Sequence, residues 1–297
     1  MSQRFNLRLD GDNIPGWESL SYGARKRLLN KTADLLILFS VLIVVVPLFW
    51  MLSTSLRPTD TLFNLPTPIL PQNPTLEAFD NVINNSNFTT WYFNSIIVAV
   101  GVVTLTTVTS TLAGYGLTRL DIPYKKTFAR IILFGYMFPA ILLAIPMFIF
   151  WRQLGWIDSH LGLVFAETAV SLPFGIWMMW KFFQTVPVSL EESAQMAGAS
   201  RFRAFYEIAL PMAKPGMVAV AVFSYAVAWN EFTMPTILLV NNESWVLTIG
   251  LFSFTMQNQV LWSQLMAAST LTVIPSFIFV YFLQKYLLRG FRAGGIG

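Results

Sequence analysis

Long apolar runs alternate with short polar, basic or proline-rich stretches along most of the chain. Six runs, at roughly 33–55, 92–117, 129–150, 161–184, 214–239 and 262–287, hold the ~20 mostly apolar residues that a bilayer-crossing helix needs. The pattern predicts an all-α membrane protein with six transmembrane helices. It divides the chain into a polar N-terminal segment 1–32, a six-helix domain 33–288 and a tail 289–297. The third and fourth runs flank a short connection and predict a helical hairpin. Pro47, Pro139, Pro146, Pro173, Pro235 and Pro275 lie inside the predicted spans. There they kink a helix and free carbonyls that neighbours must satisfy, which suits helices that wall a cavity.

One polar stretch departs from a plain connector. Residues 187–216 read PVSLEESAQMAGASRFRAFYEIALPMAKPG. Ser189 followed by Glu192 has capping-box spacing, and Glu191 and Glu192 suit the first turn of a helix. These predict a helix over Leu190–Ala197 with Gly198 as its left-handed stop. A second run, Phe202 to Leu210, puts Phe202, Phe205, Tyr206 and Ala209 at helical spacing before Pro211 ends it. So much local order predicts a docking surface for another protein, against the plainer reading of a solvated connector.

The 55% hydrophobic and 11% charged content, with mean hydropathy +0.58, excludes an ordinary soluble domain, where about 25% of residues are charged. The absence of cysteine removes disulfides and thiolate chemistry. The first thirty residues are polar and basic, which predicts an uncleaved first span rather than a signal peptide. Of nineteen Lys and Arg residues, seventeen fall on one side of the predicted spans, and only Arg57 and Arg152 on the other. By the positive-inside bias this places both termini and the island in the cytoplasm, with the net charge of +4 marking a membrane side rather than nucleic acid. The large outer loop, 56–91, carries Pro58, Pro66, Pro68, Pro71 and Pro74 and is expected to be extended.

Two carboxylates fall within spans. Glu167 and Glu231 lie about 10–13 Å from the predicted outer ends at ~1.5 Å per residue, so one outer-half cavity is expected to hold both. Trp229 and Asn230 beside Glu231 offer an aromatic plane and hydrogen bonds suited to a sugar. The alternative is that each carboxyl is neutral and bonded between helices. His160 reads as interfacial rather than metal-binding, and no metal site is expected.

The island resembles the EAA loop of ABC-importer permeases. Glu192-Ser193-Ala194, Gly198-Ala199, Phe205, Ile208 and Leu210-Pro211 keep its spacing, while Ser193 replaces an alanine and Ala197 an aspartate. Asn94-Ser95, the run Ala113 to Arg119, Trp229-Asn230-Glu231-Phe232 and Gln284-Lys285-Tyr286 extend the resemblance to MalG-like permeases of carbohydrate importers across 33–297. The resemblance implies a non-catalytic subunit of an inner-membrane importer, with a coupling helix between spans four and five. It implies pairing with a second, homologous permease, two cytoplasmic ATPase subunits that hold ATP and Mg, and an external substrate-binding protein. No cofactor is expected on this chain, which has no G-x-x-x-x-G-K-[ST] phosphate loop. Glu191, Glu192, Ser193, Ala194, Gly198, Ala199, Phe205 and Pro211 would form the coupling surface. Glu192 would be the partner of a basic ATPase residue. A different class is a proton-coupled secondary transporter that uses Glu167 and Glu231 as a relay. An intramembrane protease lacks its H-E-x-x-H run.

Overall fold

The computed structural model describes residues 21–62, 68–255 and 260–294, and among them every regular element is helical. Arg4, Arg8, Pro66 and the closing Gly-Gly-Ile-Gly run past Gly294 lie outside the described residues. Four helices are long and apolar enough to cross a membrane. They are α1 (Tyr22–Ser55), α3 (Phe88–Arg119), α6 (His160–Gln184) and α12 (Trp262–Gly294). Counting each of two bent helix pairs as one span, Lys125–Tyr136 with Ala140–Leu154 and Arg201–Met212 with Lys214–Asn230, raises the total among the described residues to six.

The third predicted span is one of those pairs. It is α4 (Lys125–Tyr136) and α5 (Ala140–Leu154), bent by 92° at a break that Pro139 closes as the N-cap of α5. A proline cannot donate into the preceding turn, but it suits a helix start. The simple hairpin is therefore corrected: α4 packs along α6, while α5 swings against α10 (Thr233–Leu238). The fifth predicted span also divides. Its helix α9 (Lys214–Asn230) stops at Glu231, and α10 follows with Pro235 in its first turn. Pro139 and Pro235 thus start helices rather than kinking them, whereas Pro47, Pro146, Pro173 and Pro275 do lie inside helices.

The prolines of the loop 56–91 are confined to its first part. Beyond them Glu77–Asn84 forms a helix, α2, which buries Ala78 and Val82 against Phe88, Trp91, Ala267 and Ala268. Arg57, expected on the far side of the bilayer, is 4% exposed. Its guanidinium donates to the carbonyls of Pro68 and Ile69 and lies 5.2 Å from the Trp50 ring centroid. The charge at this position fastens the loop to the end of α1.

The centre of the fold is the pairing of α3 with α6, which run in the same direction. Small residues set the register: Gly101 faces Val164, Thr106 shares a 3.0 Å hydrogen bond with Ser171, and Ser110 lies against Gly175. At Gly114 an added Cβ would stand 2.6 Å from the Cβ of Met179 and 2.7 Å from the Trp180 amide nitrogen. Only glycine permits that approach. Lipid tails are as apolar as the core, so close contact and interhelical hydrogen bonds hold such helices together. Helix α9 packs on both, and α12 covers α9 and α1. A short helix, α11 (Leu247–Ser253), lies against the start of α3, where Gly250 meets the Trp91 ring.

Candidate functional site

The island folds into two short helices at one end of the bundle. Helix α7 (Val188–Met196) begins earlier than expected, with Pro187 as N-cap at φ −61° and ψ 124°. Ser189 therefore lies inside the first turn and caps nothing, so the capping box with Glu192 does not form. The pre-set φ of Pro187 and the inward anchoring of Glu191 outweigh the local serine signal. Gly198 does stop the helix, at φ +94°. Its amide donates to the Gln195 carbonyl at 3.0 Å and the Ala199 amide to Ala194 at 2.9 Å, the paired bonds of a Schellman motif.

Ser200 then caps α8 (Arg201–Met212), accepting from the Arg203 amide at 3.2 Å. A π-helical stretch, Phe205–Ala209, widens its middle, and the Leu210 amide reaches back to the Phe205 carbonyl. The stop expected at Pro211 is also corrected. Pro211 sits inside the last turn, which ends at Met212, and α9 leaves at 69°. Phe205 and Ala209 point inward, packing with Met179, Phe183, Ala213 and Val220. Phe202 and Tyr206 point outward, 75% and 62% exposed and stacked with their planes 10° apart.

The adjacent glutamates separate completely. Glu191 is 2% exposed and Glu192 is exposed. Glu191 Oε1 accepts from Arg119 Nε at 2.7 Å, and its Oε2 accepts from the Tyr115 hydroxyl at 2.8 Å. Arg119 closes α3 and also donates to the carbonyls of Val186 at 2.9 Å and Phe183 at 3.3 Å. Phe183 lies in the last turn of α6 and Val186 two residues past its end, where carbonyls lack i+4 helical partners. The Tyr115 ring packs on Phe183 and Phe205, with centroids 5.5 and 4.5 Å away. A cavity of about 480 Å³ opens beside this cluster, lined by Tyr115, Arg119, Glu191, Glu192, Arg201 and Phe202 among others. Ser193 is exposed, Ala194 and Ala199 half-buried, and Gly198 and Pro211 exposed.

In the sequence Arg119 is a basic charge at the end of a span and, with Tyr115, part of the run Ala113 to Arg119, with nothing that pairs either with Glu191. The available signal was a basic residue ending a span, with two adjacent glutamates at the next polar end.

The four residues expected along a pathway sit in different surroundings. Glu167 is 1% exposed, with neither carboxylate oxygen bonded to a described residue. Glu231 is half-buried, and its Oε1 accepts from the amides of Thr233 at 2.8 Å and Met234 at 3.3 Å, capping α10. Asn230 is exposed and donates to the Ala226 carbonyl. Trp229 lines a different space, a cavity of about 560 Å³ between α3, α9 and α12. There Tyr225 stacks between Trp229 and Phe279, at centroid distances of 5.3 and 4.2 Å.

At the opposite end of the bundle, Asp158 organises the loop 239–246. Its carboxylate accepts from the amides of Val240 at 2.9 Å and Asn241 at 3.0 Å, and from the side chains of Asn241 and Ser244. Desolvation raises its pKa, but these hydrogen bonds outweigh that and hold it below the ordinary 3.8. Asn94 donates to the Glu243 and Trp245 carbonyls, and His160 Nε2 pairs with the Ser244 carbonyl at 2.8 Å. His160 thus ties the start of α6 to this loop, and no cluster of metal-ligating side chains occurs among the described residues.

The family model for the binding-protein-dependent transport system inner membrane component matches residues 106–293. The chain belongs to this family. It is 32% identical to the diacetylchitobiose uptake system permease protein NgcG of Streptomyces coelicolor, over 88% of this chain and 86% of that one. It is 31% identical to the trehalose/maltose transport system permease protein MalG of Thermococcus litoralis, over 88% and 96%. The fold is similar to a chain in the crystal structure of a bacterial ABC transporter involved in the import of the acidic polysaccharide alginate. There the TM-score is 0.75 at 23% identity, covering 90% of this chain and 98% of that one. As an ABC permease component, the chain is a multi-pass inner-membrane, non-catalytic transport subunit. The matched region contains both the α3–α6 core from Thr106 onward and the whole island.

Proposed function

We propose that this permease is the MalG-like half of an ATP-driven importer that moves a carbohydrate, whether oligosaccharide, sugar or polyol, into the cell by alternating access. Relatives named for diacetylchitobiose and for trehalose and maltose support the substrate class. The observation that carries the coupling role is the division of the two glutamates. Glu191 is anchored inside, so Glu192 is presented outward with Met196, Phe202 and Tyr206, which are 84%, 75% and 62% exposed. An aromatic and methionine patch with one carboxylate has the composition of an interface centre. Its occupant in this reading is a cytoplasmic ATPase subunit with a basic residue facing Glu192. Two such subunits close on ATP and Mg. A second permease completes the pathway, and an external binding protein delivers substrate at the opposite end. Both termini and the island lie in the cytoplasm in this reading, which the bias of the basic residues supports.

For the pathway, Trp229, with Tyr225 and Phe279, supplies apolar ring faces of the kind that pack against sugars, while Glu231 and Asn230 mark the break between α9 and α10. Glu167 lies deeper, between α6 and its neighbours.

The test uses Glu192→Lys and Gly198→Pro in the reconstituted transporter. The first reverses the docking charge, and the second excludes the positive φ that ends α7. Both are expected to abolish substrate-stimulated ATP hydrolysis while the permease stays in the membrane. Unchanged assembly and unchanged coupled hydrolysis in both variants would refute the docking surface.

A further inference from the structure

We infer that Arg119, Tyr115 and Glu191 are positioning residues that lock α7 to the ends of α3 and α6, so that a displacement of α7 is delivered to that helix pair as a rigid body. The inference rests on the reading that the island docks an ATPase, and it gives Glu191 a different task from Glu192.

The two island helices are attached in different ways. Helix α8 holds to the bundle through apolar side chains, chiefly Phe205 and Ala209. Its ion pair, Arg203 with Glu207, has both side chains more than half exposed. Contacts of that kind are weakly directional, and an exposed pair constrains little. Helix α7 is instead held by a charged hydrogen bond between side chains 9% and 3% exposed. A buried, charge-assisted contact tolerates little change in distance or angle, because moving either partner leaves a desolvated charge without its counterpart.

One guanidinium also joins three elements. Arg119 is the last residue of α3, its Nε binds the α7 carboxylate, and its two terminal nitrogens bind the carbonyls of Phe183 in the last turn of α6 and of Val186 just beyond it. Tyr115, one turn earlier on α3, holds the second carboxylate oxygen. Both oxygens of Glu191 are therefore tied to the same helix. The close contact of Gly114 with Met179 and Trp180 makes α3 and α6 one body at this level. A push on the exposed side of α7 consequently has a stiff route into the longest-packed helix pair of the membrane domain.

The experiment uses the complete complex of both permeases, ATPase subunits and binding protein in lipid vesicles, and reads substrate transported per ATP hydrolysed. Glu191→Gln keeps the shape of the side chain and removes its charge. The ratio is expected to fall about tenfold, with the ATPase still recovered in its normal proportion. Tyr115→Phe keeps the ring on Phe183 and Phe205 and removes only the hydroxyl, so a loss of about threefold is expected. If Glu191→Gln is not recovered in the membrane, Tyr115→Phe decides. A normal ratio in the recovered variants would overturn the inference. So would loss of the ATPase from the complex, which would make Glu191 a docking residue like Glu192. Failure of the docking reading has its own signature: Glu192→Lys would then leave assembly and hydrolysis intact.

Discussion

Each end of the bundle holds a connecting segment through one carboxylate, but with different chemistry. At the island, Glu191 is buried and meets a guanidinium and a phenol. At the opposite end, Asp158 is only partly buried and meets two backbone amides, a hydroxyl and a carboxamide. Keeping a carboxylate charged wholly out of water calls for a counter-charge, whereas neutral donors suffice where solvent still screens it. The counter-charge makes the island joint stiff and costly to break. The neutral cradle makes the opposite loop local and sensitive to acid.

The largest expected effect comes from breaking the stiff side. Glu191→Ala leaves Arg119 buried without its partner and should lower stability by about 3 kcal/mol, read as a fall in Tm of the purified permease. A change below about 0.5 kcal/mol would mean that the joint is softer than its burial implies.

On the other side, Asp158→Asn keeps an acceptor oxygen for the two backbone amides but puts a donor against the Asn241 side-chain nitrogen, which now donates to Oδ2. A cost of about 1–2 kcal/mol is expected, felt mainly as faster hydrogen exchange across 239–246 rather than global unfolding. If the whole domain melts instead, the two clamps are equivalent and the comparison fails.

The smallest effect is the pH response of the same loop. Asp158 has a pKa lowered by folding, so its stabilisation is fully present above the ordinary value of 3.8 and is lost as pH falls through the lower, folded value. Exchange across 239–246, corrected for the intrinsic pH dependence of amide exchange, should therefore rise below about pH 4 with little change between pH 5 and 7. A rise centred near neutrality would point to a group other than Asp158.

Much of this arrangement is legible in the sequence, for physical reasons that mark what is not. The apolar runs locate α1, α3, α6 and α12 because hydrocarbon demands a minimum length whatever the tertiary contacts. Gly198 ends α7 because the requirement for positive φ is local. The bend at Pro139 and the break at Glu231 are less legible, since a proline in an apolar run reads equally as a kink or a helix start. Tertiary packing decides between them, with α5 set against α10 on the far side of each break. Ser189 shows a local signal overridden: its capping spacing with Glu192 is intact, yet Pro187 starts the helix and Glu191 turns inward. The pairing of Arg119 with Glu191 joins residues far apart in sequence, and only the packing of α3 on α6 brings them together. Glu231 reads as a pathway residue, while its carboxylate caps a helix.

The outward-facing island carries the central claim, and the absence of cysteine in the chain permits a direct test. Single cysteines at Met196, on the island, and Val240, at the opposite end, would occupy positions that are 84% and 64% exposed in the permease. In the assembled transporter, Met196→Cys should cross-link to the ATPase subunit through a short thiol–amine reagent, and Val240→Cys should not. Cross-linking to the ATPase from Val240→Cys, with none from Met196→Cys, would contradict both the docking surface and the orientation.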